Sequence, residues 1–226
     1  MPRVDIEQGR IMAAIEIMQH GVVMLQDQAD IVLVFENGIA LIIGIEHHGQ
    51  PFGRQDHLRA DKDASPERFS ASLLQMGGTM LDRRQGETLD QAIALRFPKP
   101  GLMICSLVPE ATGTVRIEDL PTPQSAEPVD VTIVRAAFGI AETGSIFLSE
   151  AQLKLNAIAH LTQHMVVLLD PAQITANMHT AYLRPEFHTA RYGVLMSGPS
   201  ATADIQGVLI RGAQGVRSLA VCFMPQ

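Results

Sequence analysis

Apolar positions recur along this chain with two periods, and the switches between them predict its elements. In residues 9 to 25, Ile11, Ile15, Met18 and Val22 fall at helical spacing and predict a short amphipathic helix. DIVLVFENGIALIIGIEHHG, from Asp30 onward, gives two β-branched runs joined by Asn37-Gly38, a dipeptide suited to the positive φ angles of a tight hairpin. Residues 49 to 64 are polar and without period, which predicts a linker. Ser65-Pro66 then reads as a helix start, with Phe69, Leu73 and Met76 on one face and Gly77-Gly78 as its end.

Beyond that helix the pattern alternates. A short strand from Thr79 to Asp82, a helix over Leu89 to Phe97 and a strand over 102 to 108 precede an irregular Pro-rich stretch at 109 to 128. VTIV (131 to 134) and SIFLS (145 to 149) read as strands flanking the loop AAFGIAETG. A helix is expected over 151 to 162 and a strand at 164 to 169. Asp170-Pro171, with Gln173 placed for a capping box, predicts a further helix with Ile174, Met178 and Ala181 on its buried face. A strand at 194 to 196, a helix carrying Ala201, Ile205, Val208 and Leu209 and closed by Gly212, and a strand at 218 to 223 complete the reading. Continuous apolar strands separated by helices imply parallel pairing with both sheet faces covered. The expected fold is α/β, three-layer, around a mostly parallel sheet. Residues 1–64 would form a helix and β-hairpin extension, and residues 65–226 the main domain.

Composition narrows the partners. With 46 % hydrophobic and 18 % charged residues among 226, the chain reads as globular, long enough for one large core. A formal net charge of −7 and no basic run longer than Arg83-Arg84 argue against nucleic acid. Cys105 and Cys222 sit in apolar runs, as buried free thiols do, and two cysteines cannot hold a four-cysteine iron–sulfur cluster. No apolar stretch reaches the roughly 18 residues of a membrane span, and no leader pattern opens the chain, so a cytoplasmic location and no membrane partner are expected.

Two loops concentrate hydrogen-bonding groups. In open α/β sheets, ligands sit where strands lead into helix N-termini, whose unpaired N–H groups favour anions. SGPSATAD offers Ser197, Gly198, Ser200, Thr202 and Asp204, and GIAETG offers Glu142, Thr143 and Gly144. Thr143, Gly144, Ser197, Gly198, Ser200, Thr202 and Asp204 are therefore the candidate ligand-binding residues, for a small carboxylate or phosphorylated metabolite. Glu142 and Asp204 are the candidate catalytic groups. Both loops also read as ordinary caps and turns. Glu46, His47, His48, Asp56 and His57 match no metal-ligand spacing, so no metal is expected, and no redox-cofactor motif is present. His160 and His164 stand four apart, but the second begins a strand, so they need not share a face.

Gly139-Ile140-Ala141-Glu142-Thr143-Gly144-Ser145 and Gly198-Pro199-Ser200-Ala201-Thr202-Ala203-Asp204-Ile205, followed by Gly212 and Gly215, resemble the two signature stretches of the lactate-utilisation (LUD) domain, in its stand-alone lactate-utilisation protein C type. The resemblance covers residues 65 to 226. It implies the fold of the sugar-phosphate isomerase (NagB/RpiA) and CoA-transferase group, without a cofactor of its own. It also implies a part in oxidising L-lactate to pyruvate as the cluster-free partner of iron–sulfur-containing subunits. The family's second motif carries an Arg after its Ser and a later Gly-x-His-Gly, where this chain has Ala201 and Gln214. Glu36-Asn37-Gly38 is similar to the segment in which CoA-transferases of that group place a nucleophilic glutamate, which makes Glu36 the alternative catalytic residue of a CoA-transferase or sugar-phosphate-isomerase-like enzyme. A third possibility is an interaction protein that assembles, with itself or others, along the edge of the N-terminal hairpin.

Overall fold

In the computed structural model, the described residues are 22–25, 30–36, 39–46, 63–202, 210–211 and 215–225, with side chains described over 63–201 and 215–225. Strands β1 (Val22–Leu25), β2 (Asp30–Glu36) and β3 (Ile39–Glu46) form an antiparallel sheet in which Glu36 faces Ile39, as the Asn37-Gly38 signal predicts. β1 corrects the sequence reading: Val22 to Leu25 pair with β2 rather than ending a helix, and the rest of that predicted helix lies outside the described residues.

Helix α1 (Pro66–Gln75) starts as its sequence predicts. Ser65 Oγ accepts from Arg68 N at 3.2 Å and Pro66 fills the first turn, where a missing N–H costs nothing. It ends in a Schellman motif: Gly77, at φ 85°, donates to Leu74 O and Gly78 donates to Leu73 O, each at 3.0 Å. There follow β4 (Thr79–Met80) and α2 (Leu89–Arg96), opened by a reciprocal capping box between Thr88 and Gln91. Next come β5 (Ile104–Ser106), two short 3-10 turns and β6 (Val131–Arg135). Beyond them lie β7 (Phe138–Ile140), β8 (Ser145–Ser149), α3 (Glu150–Leu153), α4 (Ile158–Leu161) and β9 (His164–Leu169). The remainder comprises β10 (Ile174–Thr175), α5 (Met178–Ala181), α6 (Pro185–Thr189), β11 (Gly193–Met196), β12 (Ala201–Thr202), β13 (Ile210–Arg211) and β14 (Ser218–Phe223).

The core is a five-stranded sheet in the order β4-β14-β9-β6-β5, parallel at every pairing. Side chains alternate across it. Ile133, Val166, Leu168, Ala220 and Cys222 meet Leu89, Ala92 and Ile93 of α2, while Val134, Met165, Val167 and Val221 meet Phe69 and Leu73 of α1 and residues of α3 and α4. Helix, sheet and helix make the three-layer α/β arrangement that the alternating pattern predicts. Each large aliphatic side chain removed from water here contributes about 1.5–3 kcal/mol. Cys105 and Cys222 are free, buried and on opposite faces.

A second, four-stranded sheet in the order β10-β7-β8-β11 is mixed: β10 runs parallel to β7, and β7-β8-β11 are antiparallel. One side joins the α1 cluster through Ile146, Leu148 and Val194. The other packs Phe138, Ile140 and Phe147 against Ala181 and Phe187, with the Phe147 and Phe187 rings stacked at 4.7 Å.

This sheet accounts for most departures from the sequence reading. The expected loop AAFGIAETG contains β7, which pairs with β8. The helix expected after Asp170 is a single 3-10 turn over Pro171–Gln173, because Ile174-Thr175 finds a strand partner in Gly139-Ile140 and Asn177 supplies a later cap to Thr180 N at 2.9 Å. The helix expected over 151–162 is two short ones, interrupted where Lys154 takes φ 61°. The helix expected from Ala201 is replaced at its start by β12, antiparallel to β13; residues 203–209 lie outside the described residues. Among the described residues no helix is long and apolar enough to cross a membrane.

Candidate functional site

The first glycine-rich stretch is a hairpin turn rather than a strand-to-helix loop. Between β7 and β8, Gly144 adopts φ 63°, and a Cβ there would lie 2.2 Å from Leu73 N. The second stretch follows β11, where Gly198 adopts φ 82° and a Cβ would lie 2.5 Å from Met76 O. Both glycines thus let a strand end lie against the last turn of α1, at positions where left-handed backbone and lack of space independently exclude a side chain.

Because β11 pairs with β8 in the register Met196↔Ile146, the residues next along each strand end meet. Ser197 Oγ contacts Ser145 Oγ, which in turn lies 2.6 Å from Thr143 Oγ1. Ser145 is buried, whereas Thr143 and Ser197 are half-buried, so the chain of hydroxyls has one dry centre and two ends nearer solvent. Hydroxyls both donate and accept, and a chain of them can turn its outer O–H toward an anion. The structure therefore brings Thr143, Gly144, Ser197 and Gly198 together, with Ser200 three residues farther along. Ser145 is the member that sequence reasoning missed; its signal was a polar residue opening the apolar strand SIFLS.

Other candidates are placed differently. Glu142 Oε2 accepts from Met178 N at 3.1 Å, and Glu142 N donates to Ala176 O at 3.0 Å, so this carboxylate caps the first turn of α5 instead of facing the hydroxyls. The loop from Ser197 does not open a helix: it enters β12, and Ser200 N donates to Val216 O at 3.0 Å. Val216 lies two residues before β14, which sets the second motif at the amino ends of the parallel strands rather than beyond their carboxyl ends. Asp204, Gln214 and the side chains of Thr202 and Glu36 lie outside the described residues, as do His47, His48, Asp56, His57 and the side chain of Glu46. Among the described residues, no group of three His, Cys, Asp or Glu could hold a metal ion.

The two histidines four apart take separate roles. His160 Nε2 and Tyr192 Oη lie 2.8 Å apart; burial lowers the imidazole's pKa and raises the phenol's to about 12, so a neutral pair closes the end of α4. Glu150 receives the N–H groups of Arg191 at 2.9 Å and Tyr192 at 3.1 Å. Burial works against its charge, but these bonds outweigh it and hold the carboxyl below its ordinary value. His164, at the head of β9, bonds through Nδ1 to Ser218 Oγ at 2.8 Å. Cys105, pushed up to about 11 by burial first and Glu118 second, is a protonated packing thiol.

Residues 42–224 match the sequence model of the LUD domain, a span that includes both glycine motifs and all of the hydroxyl chain. The chain belongs to the LUD domain family. The LUD match reaches into β3, farther toward the N-terminus than the two motifs alone. A crystal structure of a DUF162 family protein from Deinococcus radiodurans is similar at 17 % identity, covering 76 % of this chain and 99 % of that one with a TM-score of 0.46. No curated protein matches this LUD-domain chain.

Proposed function

We propose that this LUD-domain chain is the cluster-free, substrate-handling subunit of an L-lactate oxidation system, and that Thr143, Ser145 and Ser197 present hydroxyls to a small carboxylate. The observation that carries the reading is the contact between the hydroxyls of Ser145, which ends the first family motif, and Ser197, which immediately precedes the second. A 2-hydroxy acid offers carboxylate acceptors and one hydroxyl donor, the complement of a short serine–threonine chain. Gly144 and Gly198 seat both motifs on α1, so the hydroxyls are held by packing before any ligand arrives. Iron–sulfur-containing partner subunits would take the two electrons that leave lactate. Ser200, next along the second motif, extends the same proposed surface. Glu142, engaged with α5, acts in this reading as a helix cap and not as a base.

The test is ligand binding followed by thermal unfolding. L-lactate or pyruvate at about a hundred-fold excess over Kd adds roughly 2.7 kcal/mol of stability. Ser197→Ala is expected to abolish that rise while leaving the unliganded melting temperature nearly unchanged. Affinity capture of the wild-type chain in its native host is expected to retain iron–sulfur proteins. Absence of any lactate or pyruvate response together with absence of cluster-bearing partners overturns the proposal.

A further inference from the structure

A recess of about 670 Å³ opens at the amino ends of the parallel strands, on the α2 side of the sheet. Arg96 closes α2, Lys99 follows it, and Arg217 stands immediately before β14, so three cations from two distant parts of the chain line one cavity. The single carboxylate among its lining residues is Asp130, which leaves a formal charge of +2 in a chain whose total is −7. Asp130 is already engaged: Oδ1 lies 3.3 Å from Lys99 Nζ, and Oδ2 accepts from Met103 N at 2.9 Å. Arg96 gives one N–H to Thr79 Oγ1 at 3.0 Å, and a guanidinium has five. The exposed Arg217 side chain has no hydrogen-bonding partner among the described residues. Phe97 and His164, ring centroids 4.9 Å apart, form an aromatic wall, and His164 is oriented by Ser218 through Nδ1.

Concentrated like charge is costly to maintain without a counterion, and here the one lining carboxylate, Asp130, pairs with Lys99 and leaves the charge of the two arginines unanswered within the recess. The volume is several times that of a bare inorganic anion and lies in the range of small-molecule pockets, roughly 300–1,000 Å³. We infer that this recess is a binding site for a small organic dianion, a phosphate monoester or a dicarboxylate, held by Arg96, Lys99 and Arg217 with its carbon skeleton against Phe97. A monoanion such as lactate leaves one positive charge unanswered and is the poorer ligand. The site is separate from the hydroxyl chain, and it does not rest on the lactate reading. Ser200 N–H to Val216 O ties the second motif to the residue preceding Arg217, so occupancy would brace that loop.

Isothermal titration calorimetry of the full chain at fixed ionic strength tests this, with sn-glycerol 3-phosphate, succinate, inorganic phosphate and L-lactate as probes. At least one organic dianion is expected to bind at least about ten-fold more tightly than lactate does here, the factor that one charge-assisted hydrogen bond supplies. Which of sn-glycerol 3-phosphate and succinate binds identifies the head group. Arg217→Ala and Lys99→Ala, both at exposed positions where the fold tolerates truncation, should each weaken that binding by about ten-fold, with circular dichroism unchanged. Ser197→Ala should leave it unaltered. Organic dianions binding no better than lactate, undiminished binding in the Arg217→Ala, Lys99→Ala double variant, or loss of dianion binding in Ser197→Ala would each overturn the inference.

Discussion

The two larger sheets of this molecule depend on opposite things. The parallel sheet is stabilised by what its side chains fill: Ile133, Val134, Val166, Val167, Leu168, Leu219 and Val221 are fully buried or nearly so between two helix layers. The mixed sheet, by contrast, is positioned by side chains that are missing, since Gly144 and Gly198 bring its strand ends onto the backbone of α1. The first kind of sheet tolerates reshuffling of apolar residues, whereas the second fixes two loops at defined places. A site built from loop hydroxyls needs the second kind.

The sharpest way to break that comparison is to add one methylene-sized group at the turns. Gly144→Ala puts Cβ at 2.2 Å from Leu73 N and Gly198→Ala puts it 2.5 Å from Met76 O, against backbone that cannot rotate away. Strain at positive φ and overpacking combine to a loss on the order of 4 kcal/mol for either. Gly86, at φ 79° with nothing within 4 Å of its Cβ, is the control, where Ala should cost only about 1–2 kcal/mol. Urea unfolding measures all three, and equal losses at Gly86 and Gly144 would show that backbone conformation, not the approach to α1, is what matters.

The converse change belongs to the parallel sheet. Leu168→Ala removes a fully buried side chain between β9 and α2, with an expected loss of about 3 kcal/mol from transfer and residual cavity. It should leave the response to lactate in place, because none of the hydroxyl chain touches that cluster.

These differences also decide what the sequence could reveal. Runs such as HMVVLL and SLAVCF announce buried parallel strands because their own composition is the stabilising agent. The cap at Ser65-Pro66 and the stop at Gly77-Gly78 are equally local, and both formed as read. β10 was illegible because Asp170-Pro171 with Gln173 satisfies a helix start and a 3-10 turn alike, and only the distant partner Gly139-Ile140 chooses. The candidate loops were legible as places of close approach, but their target, the last turn of α1, lies more than sixty residues away in the chain. The cationic recess was illegible because Arg96 and Lys99 are only a short basic pair in sequence, and Arg217 joins them only when β14 takes its place in the sheet.

Polar groups inside each sheet give a smaller contrast of opposite sign. Thr132, fully buried in β6, has a hydroxyl with no hydrogen-bonding partner among the described residues, so Thr132→Val should stabilise by about 1 kcal/mol. Ser145 in β8 has two partners, and Ser145→Ala should destabilise by about 1 kcal/mol because it strands the hydroxyls of Thr143 and Ser197. Differential scanning calorimetry of the two variants separates the cases; a destabilised Thr132→Val would mean that its methyl packing, not its hydroxyl, sets the energy there.

The smallest effect is a pH dependence carried by His160, in α4, and His164, at the head of β9. Burial lowers the pKa of His160, and burial followed by the charge of Arg217 lowers that of His164, so in each case the unfolded chain binds a proton more readily than the folded one. The stability these neutral imidazoles contribute is complete above their ordinary pKa near 6.5 and is lost as pH falls below it toward the folded values. The slope is at most about 1.4 kcal/mol per pH unit for each histidine. His160→Gln keeps a side chain able to bond Tyr192 Oη but cannot be protonated, so urea midpoints between about pH 5 and 7 should fall less steeply in the variant than in the wild type. An equal slope in the two proteins would mean that water reaches the His160–Tyr192 pair and that the seam between α4 and β11 is looser than its packing implies.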